Sequence, residues 1–149
     1  MIRVQAGLFD VGAELARFTA GRTDIGAVAS FTGLVRDRHN GEAVTAMTLE
    51  HYPGMTEAEL ERIEAEARAR WPLDDCLVIH RYGRMLPGEP IVLVLTASAH
   101  RAAAFEACAF LMDWLKTKAP FWKLEETPEG ERWVEARASD DEAATRWER

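Results

Sequence analysis

The sequence predicts an α+β domain, and three observations support that fold class. Apolar runs with strand character alternate with segments of helical periodicity. Successive strand-like runs are joined by short turns containing Gly, Pro or Asn, which favours antiparallel pairing. The 149 residues contain no repeat, low-complexity stretch or obvious linker. We therefore expect a single domain with a largely antiparallel sheet.

A first helix is predicted after Asp10, because aspartate favours the N-cap position of a helix. Gly21 suits the position just beyond the end of this helix, since glycine readily adopts the left-handed conformation found there. One face of the segment is apolar and carries Val11, Leu15 and Phe18. The pattern predicts a short amphipathic helix near the N-terminus.

A strand, a hairpin turn and a returning strand are predicted next. Residues 25–35 have the pattern of a buried strand, and residues 44–52 are expected to be the returning strand. The polar segment between them contains Asn40-Gly41, a pair that favours a tight turn. The charged residues 36–39 are a further candidate for a functional site, but they are equally well explained as a solvated hairpin tip, so on their own they are a weak signal.

A second helix is predicted from Thr56, where residues 56–59 (TEAE) match a capping box. It ends at Trp71, because a residue that precedes proline disfavours helical geometry. Two strands follow at residues 76–82 and 91–98, joined by a turn rich in Gly and Pro. We expect these two strands to pair antiparallel.

A long helix is predicted over residues 101–116, since its apolar residues recur at spacings of three and four. Pro120 prevents its extension, and residues 121–126 and 132–136 are expected to form a last hairpin. The apolar stripe of the long helix is expected to comprise Phe105, Cys108, Met112 and Leu115.

Composition excludes several classes of function. Lys plus Arg number 18 against 25 Asp plus Glu, so the formal net charge is −7, which is unsuited to binding nucleic acid through a whole face. We expect no signal peptide and no membrane-spanning segment, because no apolar run is long enough. Two isolated cysteines suit the reducing cytoplasm.

We assign residues 1–138 to the domain and residues 139–149 to a charged C-terminal tail that need not pack.

The lysines form the most informative cluster. The chain has three, Lys116, Lys118 and Lys123, all within eight residues, and its other basic residues are arginines. Lysines in a last helical turn complement the helix dipole, which explains Lys116 and Lys118 but not Lys123 beyond Pro120. Because lysine also supplies a flexible point charge or an amine whose pKa can be lowered, a functional site is an equally good explanation.

A second candidate site lies at Ser98-Ala99-His100-Arg101, where a strand gives way to the long helix. Backbone amides at a helix start attract anions, and His100 and Arg101 add side-chain donors. The competing interpretation is that His100 only caps the helix. Zinc binding is not indicated, because Cys76 and His80 have no second Cys/His pair.

Four motifs occur in order along the chain. They are FTGLVR at residues 31–36, LEHYPGM at 49–55, SAHR at 98–101 with AFEA at 104–107, and LKT with APFWK over 115–123. Together they resemble the large, catalytic subunit of molybdopterin synthase, with matches in order from about residue 25 to Arg137. Four motifs with compatible spacing form a specific signal for this family.

The resemblance implies an α/β hammerhead-like fold and a homodimer that carries one small ubiquitin-like sulfur-carrier subunit at each end, giving a heterotetramer. It also implies a sulfurtransferase reaction. Cyclic pyranopterin monophosphate receives two sulfurs from the thiocarboxylated C-terminal Gly-Gly of the carrier and becomes molybdopterin, a step of molybdenum cofactor biosynthesis. No metal, dissociable cofactor, nucleic acid or membrane is implied.

The resemblance also implies which residues form the site. Lys116 and Lys123 are the expected catalytic residues, with Lys116 the better candidate for acid–base work. The implied substrate pocket comprises Leu34, Val35, Arg36, His100, Arg101, Lys116, Lys123, Leu124, Glu125 and Arg137. A competing function is a non-catalytic α+β module that holds a phosphorylated ligand or an acidic peptide tail. Such a module would not require Lys116.

Overall fold

The computed structural model describes residues 1–134 and 138–148. The α+β class is confirmed. In chain order the elements are β1 (Ile2–Gln5), α1 (Val11–Thr19), β2 (Ala27–Leu34), β3 (Arg38–His39), β4 (Glu42–Ala43), β5 (Ala46–His51), α2 (Met55–Arg70), β6 (Leu73–Arg81), β7 (Gly83–Met85), β8 (Pro90–Ser98), α3 (Arg101–Lys118), β9 (Phe121–Thr127), β10 (Gly130–Val134) and α4 (Ala138–Thr145).

Two four-stranded sheets form the framework. The first has the order β1-β6-β8-β2 and the second the order β10-β9-β5-β7, while β3 and β4 form a separate two-stranded hairpin. β6 and β8 pair antiparallel, as predicted, and of the pairs in the described residues only β1 and β6 are parallel. The short strands β1 and β7 were not predicted, because three or four residues carry too little periodicity to reveal pairing with distant partners.

Helix α3 packs its apolar face against the first sheet. This face contains Ala104, Cys108, Leu111 and Leu115, and the hydroxyl of Thr96 on β8 donates a 2.7 Å hydrogen bond to the Ala104 carbonyl. The expected stripe was wrong at Phe105, whose side chain is 65% exposed. The small side chain of Ala104 lets the helix approach the sheet, and this orientation turns Phe105 outward.

The start of α2 also differs from the prediction. Gly54 is the N-cap, and its N–H donates a 2.9 Å hydrogen bond to Oε2 of Glu57. Thr56 is buried; its hydroxyl accepts a hydrogen bond from the Tyr52 N–H at 3.1 Å and lies 3.4 Å from the Pro120 carbonyl. Thr56 therefore does not cap α2 but ties its start to the segment that joins α3 and β9.

The C-terminal region contributes a helix and an aromatic contact. Helix α4 packs against α3, and Nε1 of Trp147 donates a hydrogen bond to Oδ2 of Asp113 at 2.6 Å. The Trp147 ring centroid lies 5.5 Å from that of Trp71 and 5.8 Å from that of Phe110.

The boundary between domain and C-terminal tail that we placed at residue 138 stays a prediction. Within the described residues, no helix is long and apolar enough to cross a membrane.

Candidate active site

A cavity of about 650 Å³ opens beside the C-terminal end of α3. Both sheets, the β3–β4 hairpin, α3 and α4 contribute to its wall. Its apolar part includes Leu34 and Val35 at the end of β2, and Arg36 follows them directly. The Val35 N–H donates to the Glu89 carbonyl at 2.9 Å and the Gly88 N–H donates to the Val35 carbonyl at 2.7 Å, so both backbone groups of Val35 are held by the turn that precedes β8.

The last turn of α3 directs its two lysines to different surroundings. Residues 116 and 118 lie about 200° apart around a helix, so they face almost opposite directions. Lys116 lines the cavity, whereas Nζ of Lys118 lies 4.7 Å from the ring centroid of Trp114. The structure therefore separates Lys118 from the other two lysines.

Strand β9 brings Lys123 and Glu125 to the cavity. Side chains alternate along a strand, so these two residues share a face with Phe121, whereas Leu124 lies on the opposite face and does not line the cavity. Burial lowers the pKa of the Lys123 ammonium, and the positive charges of Lys116 and Arg36 lower that pKa further. The Glu125 carboxylate opposes this shift.

The Glu125 carboxylate is engaged by two donors. Glu125 is only 5% exposed, and its Oε1 accepts a hydrogen bond from Nδ1 of His39 at 2.7 Å. The same oxygen lies 3.3 Å from Nη2 of Arg132 on β10. Glu125 therefore fastens the β3–β4 hairpin to β9 and β10 beside the cavity.

His100 and Arg101 lie at the other end of α3. Arg101 is the first residue of the helix, and a rise of about 1.5 Å per residue puts it roughly 22 Å from Lys116 along the axis. Neither residue lines the cavity of its own chain. Arg137 falls outside the described residues. The roles assigned to these three residues stay predictions.

His80 is a cavity residue that sequence reasoning missed. Its ring stacks on Phe121 with centroids 3.8 Å apart, and its Nδ1 lies 3.0 Å from the Arg81 carbonyl, which can only accept a hydrogen bond. Burial lowers the pKa of His80 to about 4, so the ring is neutral at physiological pH. Its alternation with Cys76 and Val78, which lie in the core, was a signal that His80 points inward, but this pattern does not show which residues it meets.

Neither cysteine lines the cavity. Both cysteines are buried, and burial raises the pKa of Cys76 to about 12 and that of Cys108 to about 11, so neither thiol is ionised near neutral pH. Over residues 1–134 and 138–148, no three His, Cys, Asp or Glu side chains are grouped to hold a metal ion.

Comparison with known proteins identifies the family. Residues 4–118 match the family model described as MoaE protein. A molybdopterin synthase catalytic subunit from Pseudomonas aeruginosa is 60% identical over 147 residues, covering 99% of this chain and 98% of that protein. The chain belongs to the MoaE family. The resemblance inferred from the four motifs is thereby confirmed, and with it the function of a molybdopterin synthase catalytic subunit.

Solved MoaE structures share the fold. The molybdopterin biosynthesis MoaE protein from Burkholderia ambifaria is 55% identical and superposes with a TM-score of 0.84, covering 99% of this chain and 97% of that one. A chain from a Helicobacter pylori complex of subunits 1 and 2 of molybdopterin-converting factor has a TM-score of 0.76, with 91% of each chain covered. At 20% identity, this second likeness shows the fold alone.

Proposed function

We propose that this MoaE chain transfers two sulfurs to cyclic pyranopterin monophosphate from the thiocarboxylated tail of a small carrier protein. The observation that carries the proposal is the convergence of Arg36, Lys116 and Lys123 on one cavity. The phosphate and the thiocarboxylate are both anions, and the chain has a net charge of −7. Both anions therefore need a local cationic pocket, and this cavity provides one.

The two lysines suit charge stabilisation and proton transfer. A cation close to the reacting sulfur stabilises negative charge that develops as the sulfur attacks the pterin side chain. From the sequence we expected Lys116 to perform the acid–base work. The desolvation that lowers the pKa of Lys123 favours Lys123 for that role, because a lowered pKa makes a neutral amine more accessible near neutral pH.

A carrier partner agrees with the shape and chemistry of the cavity. A Gly-Gly tail has no side chains, so its bare backbone can enter a cavity of about 650 Å³. Neither cysteine is suited to carry sulfur, because burial raises the pKa of both thiols. The Helicobacter pylori neighbour is named as a complex of two subunits, which supports an assembly of this kind for the present chain.

We further propose that a second protomer supplies His100 and Arg101. These residues lie roughly 22 Å along α3 from Lys116 of their own chain, too far to touch the same substrate. A homodimer that brings the start of one α3 to the cavity of its partner would complete the phosphate site.

The reaction is tested with the purified chain, cyclic pyranopterin monophosphate and a carrier in thiocarboxylate or carboxylate form. We expect dithiolene product only with the thiocarboxylated carrier. Product without any carrier would refute the partner assignment. Tight phosphate binding without product would favour the non-catalytic binding module.

The shared site is tested by mixing two inactive variants. We expect Arg101→Ala and Lys116→Ala homodimers to be inactive alone and to regain activity after subunit exchange, because a mixed dimer contains one intact site. Exchange that is verified by mass spectrometry but restores no product would place all essential groups on one chain.

A further inference from the structure

Most of the described arginines away from the cavity are paired with carboxylates, and Arg101 is the exception among them. Ten of the described arginines have a carboxylate oxygen within 4.0 Å, namely Arg3, Arg17, Arg22, Arg62, Arg68, Arg70, Arg81, Arg84, Arg132 and Arg146. In the described part of the chain, Arg36, Arg38 and Arg101 have no such partner. Two of these three, Arg36 and Arg38, line the cavity.

The hairpin that carries Arg38 is held in place on both strands. His39 hydrogen-bonds Glu125 at 2.7 Å, and Arg132 forms an ion pair with Glu42 on the opposite strand. Asn40 (φ 52°) and Gly41 (φ 81°) close the hairpin with the two left-handed residues that its tight turn requires. Arg38 is therefore an exposed side chain on a fastened backbone.

The charges around the cavity leave Arg38 available for an anion. Arg36, Lys116 and Lys123 add three further cations to the same cavity. Of the described carboxylates on its wall, Glu125 is already engaged by His39 and Arg132, and Asp140 lies on α4. A guanidinium without a carboxylate partner presents parallel N–H donors that match the oxygens of a phosphate or a carboxylate.

We propose that Arg38 is an additional anion-binding residue of this cavity and that it binds an oxyanion. The ligand is either the phosphate of the pyranopterin or the terminal carboxylate of the carrier. The naming of these two sources rests on the proposed function, whereas the binding of an oxyanion by Arg38 is independent of it. His39 acts as its positioning residue by holding the hairpin against Glu125.

Two probes distinguish the sources of the anion. Inorganic phosphate and a synthetic peptide ending in Gly-Gly carboxylate are titrated into the wild-type protein, Arg38→Gln, Arg38→Lys and Arg62→Gln. Arg62→Gln is the matched control, because Arg62 pairs with Glu59 on the surface of α2 and its loss changes the net charge equally. Far-UV circular dichroism and thermal unfolding of each variant establish that the fold is kept.

We expect Arg38→Gln to weaken one probe about tenfold, as for the loss of a charge-assisted hydrogen bond, while Arg38→Lys keeps most of the affinity. If Arg38→Gln binds phosphate more weakly, the ligand of Arg38 is the pyranopterin phosphate. If Arg38→Gln binds the peptide more weakly, the ligand is the carboxylate of the carrier. Equal affinities in Arg38→Gln and Arg62→Gln, or no measurable binding of either probe by the wild type, would overturn the proposal. The same substitution is expected to raise the KM of the corresponding reactant about tenfold with little change in kcat.

Failure of the proposed function gives a different result. If the wild-type chain and carrier form no product while Arg38→Gln still loses affinity for a probe, the sulfur transfer is refuted and the anion site remains.

The positioning role of His39 is tested with two substitutions. His39→Asn keeps a short polar side chain near Glu125, and His39→Ala does not. A positioning role predicts partial rescue of probe affinity by asparagine, whereas equal affinity in both variants would exclude it.

Discussion

Nδ1 of His39 lies 2.7 Å from Oε1 of Glu125, across 86 positions of the sequence. The contact joins the hairpin after Arg36 to the strand that carries Lys123. Arg132 reaches the same carboxylate oxygen from β10, at 3.3 Å. One buried carboxylate therefore connects three segments of the cavity wall.

Loss of the Glu125 carboxylate is expected to destabilise the protein. Glu125→Ala leaves His39 and Arg132 without their shared acceptor, and we expect the free energy of unfolding to fall by about 1–3 kcal/mol. Urea unfolding measures this change. Glu129→Ala, in the exposed turn between β9 and β10, is the control and should change stability by less than about 0.5 kcal/mol. Equal stability of the two variants would show that the Glu125 contacts are not stabilising.

Lys116 and Lys118 are expected to differ in their effect on activity. Lys116→Ala removes a cation from the cavity, and we expect product formation to fall by about 10²–10³-fold with the fold and dimer intact. Lys118→Ala removes an amine that lies over Trp114 and should leave turnover near the wild-type level. Single-turnover product formation with thiocarboxylated carrier measures both. Near-normal product from Lys116→Ala would remove Lys116 from the mechanism.

Lys123 is expected to lower stability while supporting function. Its pKa is lower in the folded chain than the usual 10.5, so the folded state binds the proton less tightly than the unfolded state. The resulting penalty is fully present below the lowered pKa of the folded state and disappears as the pH rises toward 10.5. We therefore expect Lys123→Met to raise the free energy of unfolding at pH 7 by about 1 kcal/mol, which corresponds to a rise of about 2–4 °C in the unfolding temperature. The same substitution is expected to abolish activity.

The control for Lys123 is Lys118→Met. Its ammonium contacts the Trp114 ring, so its removal should lower stability slightly or leave it unchanged. A similar rise in unfolding temperature for both variants would indicate a general effect of net charge rather than desolvation of Lys123.

Glu14 is expected to make stability depend on acid pH. It is 5% exposed, and hydrogen bonds from Arg3 and then Arg17 hold its pKa below the usual 4.5. Its contribution is present above pH 4.5 and is lost as the pH falls through the lowered pKa of the folded state. We expect Glu14→Gln to cost about 1–2 kcal/mol at pH 7 and much less at pH 3. An equal loss at both pH values, measured by urea unfolding, would exclude a role for the carboxylate charge.

Local signals predicted much of the fold. The side chain of Asp10 caps α1 by accepting a hydrogen bond from the Ala13 N–H at 2.8 Å, as its residue type indicated. Asn40-Gly41 forms a tight turn as expected, and β6 pairs with β8. The turn joins only the short strands β3 and β4, however, and the predicted return of residues 44–52 beside residues 25–35 was wrong, because β2 pairs with β8 in one sheet and β5 with β7 and β9 in the other. Caps and tight turns depend on a few consecutive residues, so the covalent sequence contains the information that defines them.

The candidate site was predicted in part. Leu34, Val35, Arg36, Lys116, Lys123 and Glu125 line one cavity, and strand alternation turns Leu124 away from it. His80 and Arg38 were missed because one resembled an incomplete zinc ligand set and the other a solvated hairpin tip. Neither residue has a local pattern that reveals its neighbours, which come from distant strands.

The sequence by itself determined the family, the α+β class and the concentration of lysines near Pro120, since these depend on residue types and their order. Only the tertiary structure decided which of those lysines face the cavity and that Phe105 is exposed. It also decided that Arg101 lies at the far end of α3 from Lys116. The physical reason is that helix orientation and sheet pairing are set by packing between segments far apart in the chain, which no local pattern encodes.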